Sequence, residues 1–363
     1  MATNTHIQQS GGLRRRRSTI LVLVLSIAAG ALTGKTALPT KPSAAAAPRS
    51  AAGGRSYSYG WPIKPFDRQH PIRGYFGDPR TVFAARASTR ALLTSGGDFS
   101  FHRGIDISTP DGTPVYPVAS GVVSRAEAEV IEVDSGNGTL FEYWHLIRNV
   151  SVGDRVTKNE TLLGRVMPGA QHVHLSELRD GHLVNPLAPG HLGPYADATS
   201  PTVGAITFRR RDNGPTLLPE CLRGKVELVA EAFDIPAMPV PGRWHGLPVS
   251  PATLSYRIEV ANTRRVVVPE TTAMDVRNVL PASGRLWSTY ARGTHMNMPQ
   301  FGSRRFWYQP GVYLYKLGAA ALDTRRLRDG VYRIRVTASD TADNSGSASQ
   351  TFTVDNFGPR ACS

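Results

Sequence analysis

The stretch GTPVYPVASGVVSRAEAEVIEVDSGNGTLFEYWHLI, residues 112–147, decides the fold class of this chain. It breaks into short β-type runs, Thr113 to Val118, Gly121 to Ser124, Val130 to Val133 and Leu140 to His145, with Gly, Asp and Asn turns between them. Helix-period patterns are scarce, so the runs predict an antiparallel sheet. Downstream, Val152-Gly153-Asp154-Arg155-Val156 followed by Leu162-Leu163-Gly164 sets two Gly-punctuated turns around short apolar strands. That spacing fits a compact sandwich or barrel over residues 59–192.

Working outward, residues 193–203 read as a linker rich in Pro, Ala, Ser and Thr. Alternating runs then resume at Val226 to Phe233, Leu254 to Val260, Val312 to Leu317 and Tyr332 to Ala338. The last puts Tyr, Ile, Val and Ala on one face and Arg, Arg and Thr on the other. Asp329-Gly330 turns into it, and Asn344 to Gly346 turns out of it toward Thr351 to Val354. Residues 204–357 are therefore expected to form a β-sandwich of the immunoglobulin or fibronectin type, with a tail at 358–363. The chain is read as all-β. With 363 residues it is long enough for two such bodies, and 35 Gly with 27 Pro suit an architecture built on turns.

The first 47 residues differ from the rest. Arg14 to Arg17 form a basic cluster ahead of the apolar run Ile20 to Ala31, the two parts of an export signal. Cleavage near Ala31 or in the Ala44 to Ala47 run, or retention of the segment as an anchor, are all open. An exported or cell-envelope location follows. The formal net charge is +14, and removing the six basic residues Arg14 to Arg17, Lys35 and Lys41 leaves +8. For an exported protein a basic surface points to anionic cell-wall polymers or lipid headgroups rather than nucleic acid. Membrane contact is expected only through an uncleaved N-terminal signal. Two cysteines, Cys221 and Cys362, permit one disulfide in an oxidising compartment.

Ten histidines occur, and four of them, with one aspartate, fall into three motifs of the first body. In His102-Arg103-Gly104-Ile105-Asp106, Gly104 is expected to allow a local bend that turns an imidazole and a carboxylate toward one point. In His172-Val173-His174 the i, i+2 spacing on a strand sends both imidazoles to one face, about 7 Å apart. In Tyr143-Trp144-His145-Leu146 a lone histidine closes a strand; taken singly, such a residue is more often structural.

The three motifs in this order resemble the lysostaphin/LytM-type zinc metalloendopeptidases, peptidoglycan hydrolases of the duplicated-hybrid-motif fold. The resemblance runs through His102 to Ile107, Gly112-Thr113-Pro114-Val115-Tyr116, Gly121-Val122-Val123, Tyr143 to Leu146, Val152 to Val156 with Leu163-Gly164, and His172-Val173-His174 with Val184-Asn185-Pro186. It covers about Trp61 to Leu192. By resemblance His102, Asp106 and His174 are the Zn2+ ligands, and His145 and His172 the catalytic histidines. Two His and one carboxylate leave a fourth position on zinc for water. The reaction implied is metal-assisted hydrolysis of peptidoglycan peptides, with His172 or His145 taking the proton of water.

The chain departs from the family pattern in four places. Gly164 to Gln171 is short, Gln171 stands where Gly is common, Leu175-Ser176 replaces the usual Phe, and bulky Trp144 precedes His145. Glu177 reads as an exposed strand charge, although it is a candidate to orient an imidazole. His182 and His191 read as turn or surface residues. Two other classes of function stay in view: a non-catalytic wall-binding regulator of another hydrolase, and an exported adhesive protein whose second body carries the function. Oligomeric state is not legible.

Overall fold

The computed structural model describes residues 57–81, 100–127, 129–212, 214–282, 286–297 and 310–358. The export signal and leader read over residues 1–50, and Cys362 in the C-terminal tail, lie outside the described residues. Among the described residues no helix is long and apolar enough to cross a membrane.

Period-two alternation builds the central sheet. From one edge its strands run Arg155–Val156, Gly121–Glu127, Val130–Asp134, Thr139–Trp144, His172–Arg179, Ile105–Ser108 and Ile72–Gly74, with every neighbouring pair antiparallel. His182–Val184 folds back on the far end of His172–Arg179 as a hairpin. Ile105, Ile107, Val173 and Leu175 are fully buried in one apolar core with Ile131, Val133 and Tyr143. Side chains of that size gain roughly 1.5–3 kcal/mol each on full burial. Because successive residues point to opposite faces, Asp106, His172 and His174 must then share the other face. A smaller sheet of Leu146–Arg148, Gly164–Val166 and Pro114–Val115 closes one side. The chain entering at Tyr57–Tyr59 pairs in parallel with Gly190–Leu192, a pairing with no sequence signal.

The strand Thr202–Arg209 starts inside the segment read as a linker. It belongs to a five-stranded sheet with Thr216–Leu217, Lys225–Phe233, Leu314–Lys316 and Leu322–Asp323. A four-stranded sheet follows the order Val266–Asp275, Thr253–Val260, Gly330–Ser339 and Ser345–Val354. Tyr332, Ile334, Val336 and Ala338 are buried as their alternation predicts, and they share a core with Phe208, Val226, Leu228 and Ala230 of the other sheet. Cys221 is disulfide-bonded.

The two sets of sheets are not loosely tethered. Phe76 and Phe101 of the first contribute to the core of the second, and Val249 of the second to the core of the first. Buried polar contacts stitch the boundary: Ser250 N donates to Asp78 Oδ1 at 2.7 Å, Tyr290 Oη to the Gly77 carbonyl at 2.9 Å and Asn185 Nδ2 to the Val276 carbonyl at 3.0 Å. Hydrogen bonds of this kind hold only when both partners are fixed, since a buried donor without an acceptor costs about 1–3 kcal/mol.

Candidate metal and catalytic centre

Asp106 and His174 are directly opposed across the antiparallel pair of Ile105–Ser108 and His172–Arg179, which puts their side chains on one face within reach of each other. His174 Nδ1 lies 3.0 Å from Asp106 Oδ1. His102, at the entry to the Ile105–Ser108 strand, brings Nε2 to 2.8 Å from His174 Nδ1 and 3.0 Å from Asp106 Oδ1. The three sequence-predicted ligand residues thus converge, one atom from each within 4.8 Å of the others.

The outer atoms of this triangle are engaged, which fixes what the inner ones offer. His102 Nδ1 donates to the Tyr75 carbonyl at 2.8 Å, leaving Nε2 as a bare lone pair. His174 Nε2 lies 2.8 Å from Ser176 Oγ, which accepts its proton and leaves Nδ1 bare. Asp106 Oδ2 accepts from Arg80 Nη2 at 2.7 Å, so Oδ1 faces inward. Three acceptors pointing at one spot repel one another unless a cation sits among them. Two imidazole nitrogens and a carboxylate oxygen are a donor set that suits zinc, whose ligands at about 2.0–2.2 Å in tetrahedral array stand roughly 3.3 Å apart. Burial pushes His102 down to about 3, aided by the Arg80 charge, so it is neutral at physiological pH. Burial by itself raises Asp106, but His102, Arg80 and His172 outweigh it and hold the carboxyl well below its ordinary range.

His172 and His145 stand beside the triangle. His172 Nε2 is 3.6 Å from Asp106 Oδ1, and the His145 and His172 rings are 4.5 Å apart between centroids. His145 takes a left-handed backbone conformation, φ +68°, at the turn between Thr139–Trp144 and Leu146–Arg148, and Met167 N donates to its carbonyl at 2.9 Å. Such a conformation in a non-glycine residue costs of order 1 kcal/mol or more and recurs at functional sites. It turns the ring toward His172 rather than along the strand. His145 Nδ1 donates to Glu129 Oε2 at 3.1 Å, leaving Nε2 as an acceptor. Arg73 Nη2 lies 2.7 Å from His172 Nδ1, and the Ala170 carbonyl is equally close to that nitrogen. The two contacts demand opposite tautomers. The guanidinium keeps its protons even though burial lowers it to about 10, so it donates to Nδ1 and the His172 proton sits on Nε2. Burial and the Arg73 charge hold His172 well below the usual histidine range against the pull of Asp106; burial also lowers His145, against the pull of Asp106 and Glu129.

These residues line a cleft of about 790 Å³ whose far wall comes from loops and a short helical turn of the C-terminal body through Trp244, Met296, Asn297 and Tyr313. The Arg73 guanidinium lies 4.3 Å from the Trp244 ring centroid, a cation–π contact across the boundary.

Several expectations need correction. Glu177 is not an exposed strand charge. It is fully buried, accepts from Tyr59 Oη, from His191 Nδ1 at 2.8 Å and from Arg179 Nε at 2.6 Å, and orients none of the site imidazoles. His191 is accordingly a partner of that carboxylate rather than a plain surface residue, whereas His182 is exposed. Gly104 does sit at a bend, and close approach requires glycine there as well: a Cβ would overlap the Leu175 carbonyl and come within 2.9 Å of His174 Nε2. The departures from the family pattern also find reasons. Ser176 fixes the His174 tautomer, and Trp144 sets its ring edge-on to His174 at 6.4 Å. Gln171 adopts φ +53°, the conformation glycine favours, and its N–H is held by Asp111 Oδ1 at 2.8 Å. Arg73, Arg80, Glu129 and Trp244 were missed, because charged and aromatic residues scattered over the chain carry no local pattern.

Residues 100–186 match the model of peptidase family M23. The peptidoglycan DD-endopeptidase ShyC of Vibrio cholerae is 31% identical over 108 residues, covering 27% of this chain and 24% of that protein. The chain thus spans about a quarter of that relative's length. Among solved structures, the SpoIIQ–SpoIIIAH pore-forming complex contains a chain 26% identical, with 36% of this chain and 89% of that one covered at a TM-score of 0.28. A zinc-containing peptidase from Vibrio cholerae is 20% identical, covering 36% of this chain and 39% of that one, also at 0.28. The motif order and the convergence of its residues in one cleft accompany this match, and residues 100–186 form a segment of the peptidase family M23 type.

Proposed function

We propose that this chain is an exported zinc metalloendopeptidase that hydrolyses peptide bonds in peptidoglycan stem peptides or cross-bridges during cell-wall remodelling. The observation that carries this reading is the placement of His145 and His172 in one cleft with the inward-facing triangle of His102, Asp106 and His174. A module that only recruits another hydrolase has no use for two oriented, neutral imidazoles beside a metal-ligand set. The similarity to ShyC, a peptidoglycan DD-endopeptidase by name, supports the substrate class.

His102, Asp106 and His174 would hold the zinc. When bound, zinc supplies a Lewis acid that acidifies water and polarises a carbonyl. His145, its Nδ1 proton committed to Glu129, presents Nε2 to take a proton from the attacking water. His172, its Nδ1 occupied by Arg73, presents Nε2–H to the oxygen that gains charge as the carbonyl is attacked. The division of labour follows from which nitrogen each neighbour occupies. The C-terminal two-sheet body, read as an immunoglobulin- or fibronectin-like sandwich, shapes peptide access through Trp244 and Tyr313, which wall the cleft.

The test is digestion of purified peptidoglycan by the zinc-loaded chain, with released fragments identified by mass spectrometry. New α-amino and α-carboxyl ends within stem or bridge peptides are expected. Intact peptides on several wall types, with zinc bound, would instead favour the regulatory module.

A further inference from the structure

Away from the cleft, three carboxylates meet where the segment after the M23 domain crosses the two-sheet body. Asp197 lies in that segment, Asp234 directly follows the strand Lys225–Phe233, and Asp340 directly follows Gly330–Ser339. One oxygen from each lies within 4.8 Å of the others. Asp234 is 1% and Asp340 2% exposed. Three like charges in so dry a place repel strongly, and none of the three is paired with a Lys or Arg among the described residues.

The hydrogen bonds leave one atom over. Asp340 Oδ1 accepts from Ala342 N at 2.8 Å and Asn344 N at 2.9 Å, and its Oδ2 from Asn344 Nδ2 at 2.7 Å. Asp197 Oδ1 accepts from Thr199 N at 2.9 Å, and its Oδ2 from Tyr195 Oη at 3.0 Å. Asp234 Oδ1 accepts from Ile235 N at 2.8 Å, but its Oδ2 is buried with no hydrogen-bond partner. A buried carboxylate with two more carboxylates beside it, and one oxygen that meets no donor, is a group waiting for a positive charge. Burial, with Asp197 and Asp340 alongside, pushes Asp234 up to about 8, the behaviour of a carboxyl lacking its counter-charge.

We propose that Asp197, Asp234 and Asp340 bind a calcium ion, which fastens the segment after the M23 domain to the ends of two strands of the C-terminal body. The donor set is oxygen only, the preference of a hard cation, and three carboxylates drawn from separate segments suit the irregular, flexible coordination calcium accepts. The site also leads back to the cleft. Tyr195 Oη, which donates to Asp197, lies 3.0 Å from Tyr75 Oη, and the Tyr75 carbonyl holds His102 Nδ1. Fixing Asp197 therefore steadies the strand end that orients a metal ligand.

The experiment is thermal unfolding and calorimetric titration of the full chain with calcium chloride, zinc being kept constant and trace calcium removed with a calcium-selective chelator. One calcium per chain is expected. With calcium at about 100 times its dissociation constant, Tm rises by about 5 °C. Asp234→Asn keeps the shape and removes the charge, and it abolishes the response; Asp197→Asn, at a less buried position, does the same should the first variant fold poorly. No heat and no shift in the native chain, with Asp234→Asn more stable in every buffer, would mean that a proton neutralises Asp234 and would overturn the proposal. An equal calcium response in native chain and variants would overturn it too, placing the ion elsewhere.

Discussion

Arg80 donates from Nη2 to Oδ2 of Asp106 at 2.7 Å, while the other oxygen of Asp106 faces His102 and His174. The contact is possible because residue 74, which sits between them, is glycine: a Cβ there would stand 2.8 Å from both Arg80 Nη2 and Asp106 Oδ2. With His102, Arg80 thereby keeps the carboxylate ionised, and it leaves a single oxygen facing inward. Arg80→Met should weaken zinc binding by roughly 10–100-fold, the usual effect of losing a group that orients a ligand. A competition titration against a zinc-binding dye reads this directly, and unchanged affinity would remove Arg80 from the account.

The pH dependence follows from His145. Burial lowers its pKa below the ordinary 6.5 while Glu129 pulls it upward. A general base works unprotonated, so kcat/KM should be level above that pKa and fall as pH drops through it, the acid limb lying below about 6.5. Glu129→Gln removes the upward pull, so the acid limb should move to lower pH while the plateau falls. A limb that moves upward or stays in place would contradict the assignment of His145 as base.

Across the cleft, Arg73 is held between His172 and the Trp244 ring. Without Arg73, His172 Nδ1 is free to donate to the Ala170 carbonyl, which strips the proton from Nε2. Arg73→Met should lower kcat by about 10–100-fold with zinc content unchanged. Trp244→Ala removes a cation–π contact worth roughly 0.5–2 kcal/mol and opens the far wall. It should cost about tenfold in kcat/KM, chiefly through KM. Steady-state kinetics on a soluble peptidoglycan peptide separates the two effects.

Gly104→Ala drives a methyl group into the Leu175 carbonyl, backbone that cannot turn aside. A destabilisation of about 1–3 kcal/mol is expected, a fall in Tm of about 5 °C. Because Leu175 lies on the strand that carries His174, zinc affinity should fall as well. Calorimetric unfolding with and without zinc checks both.

What the sequence made legible was local. The i, i+2 spacing put His172 and His174 on one face, and the structure adds that Ile105, Ile107, Val173 and Leu175 are buried on the other. The family resemblance added the roles of these histidines, of His102 and His145, and of Asp106. What stayed hidden depends on long-range pairing. Glu177 looks like any strand charge until Tyr59 and His191, brought beside it by the parallel pairing of Tyr57–Tyr59 with Gly190–Leu192, bury it. Arg73 and Trp244 are far apart in sequence and meet only because the C-terminal sheets pack onto the M23 domain. The three aspartates of the proposed calcium site are likewise scattered, and two of them occupy turn-like contexts where aspartate is commonplace.

The most direct test of the central claim separates metal binding from turnover within the five-residue site. Zinc content and peptide release from purified peptidoglycan would be measured for the native chain, His172→Ala and Asp106→Ala. The account predicts one zinc and no turnover for His172→Ala, and loss of both for Asp106→Ala. Retained turnover in His172→Ala, or full zinc in Asp106→Ala, would contradict it.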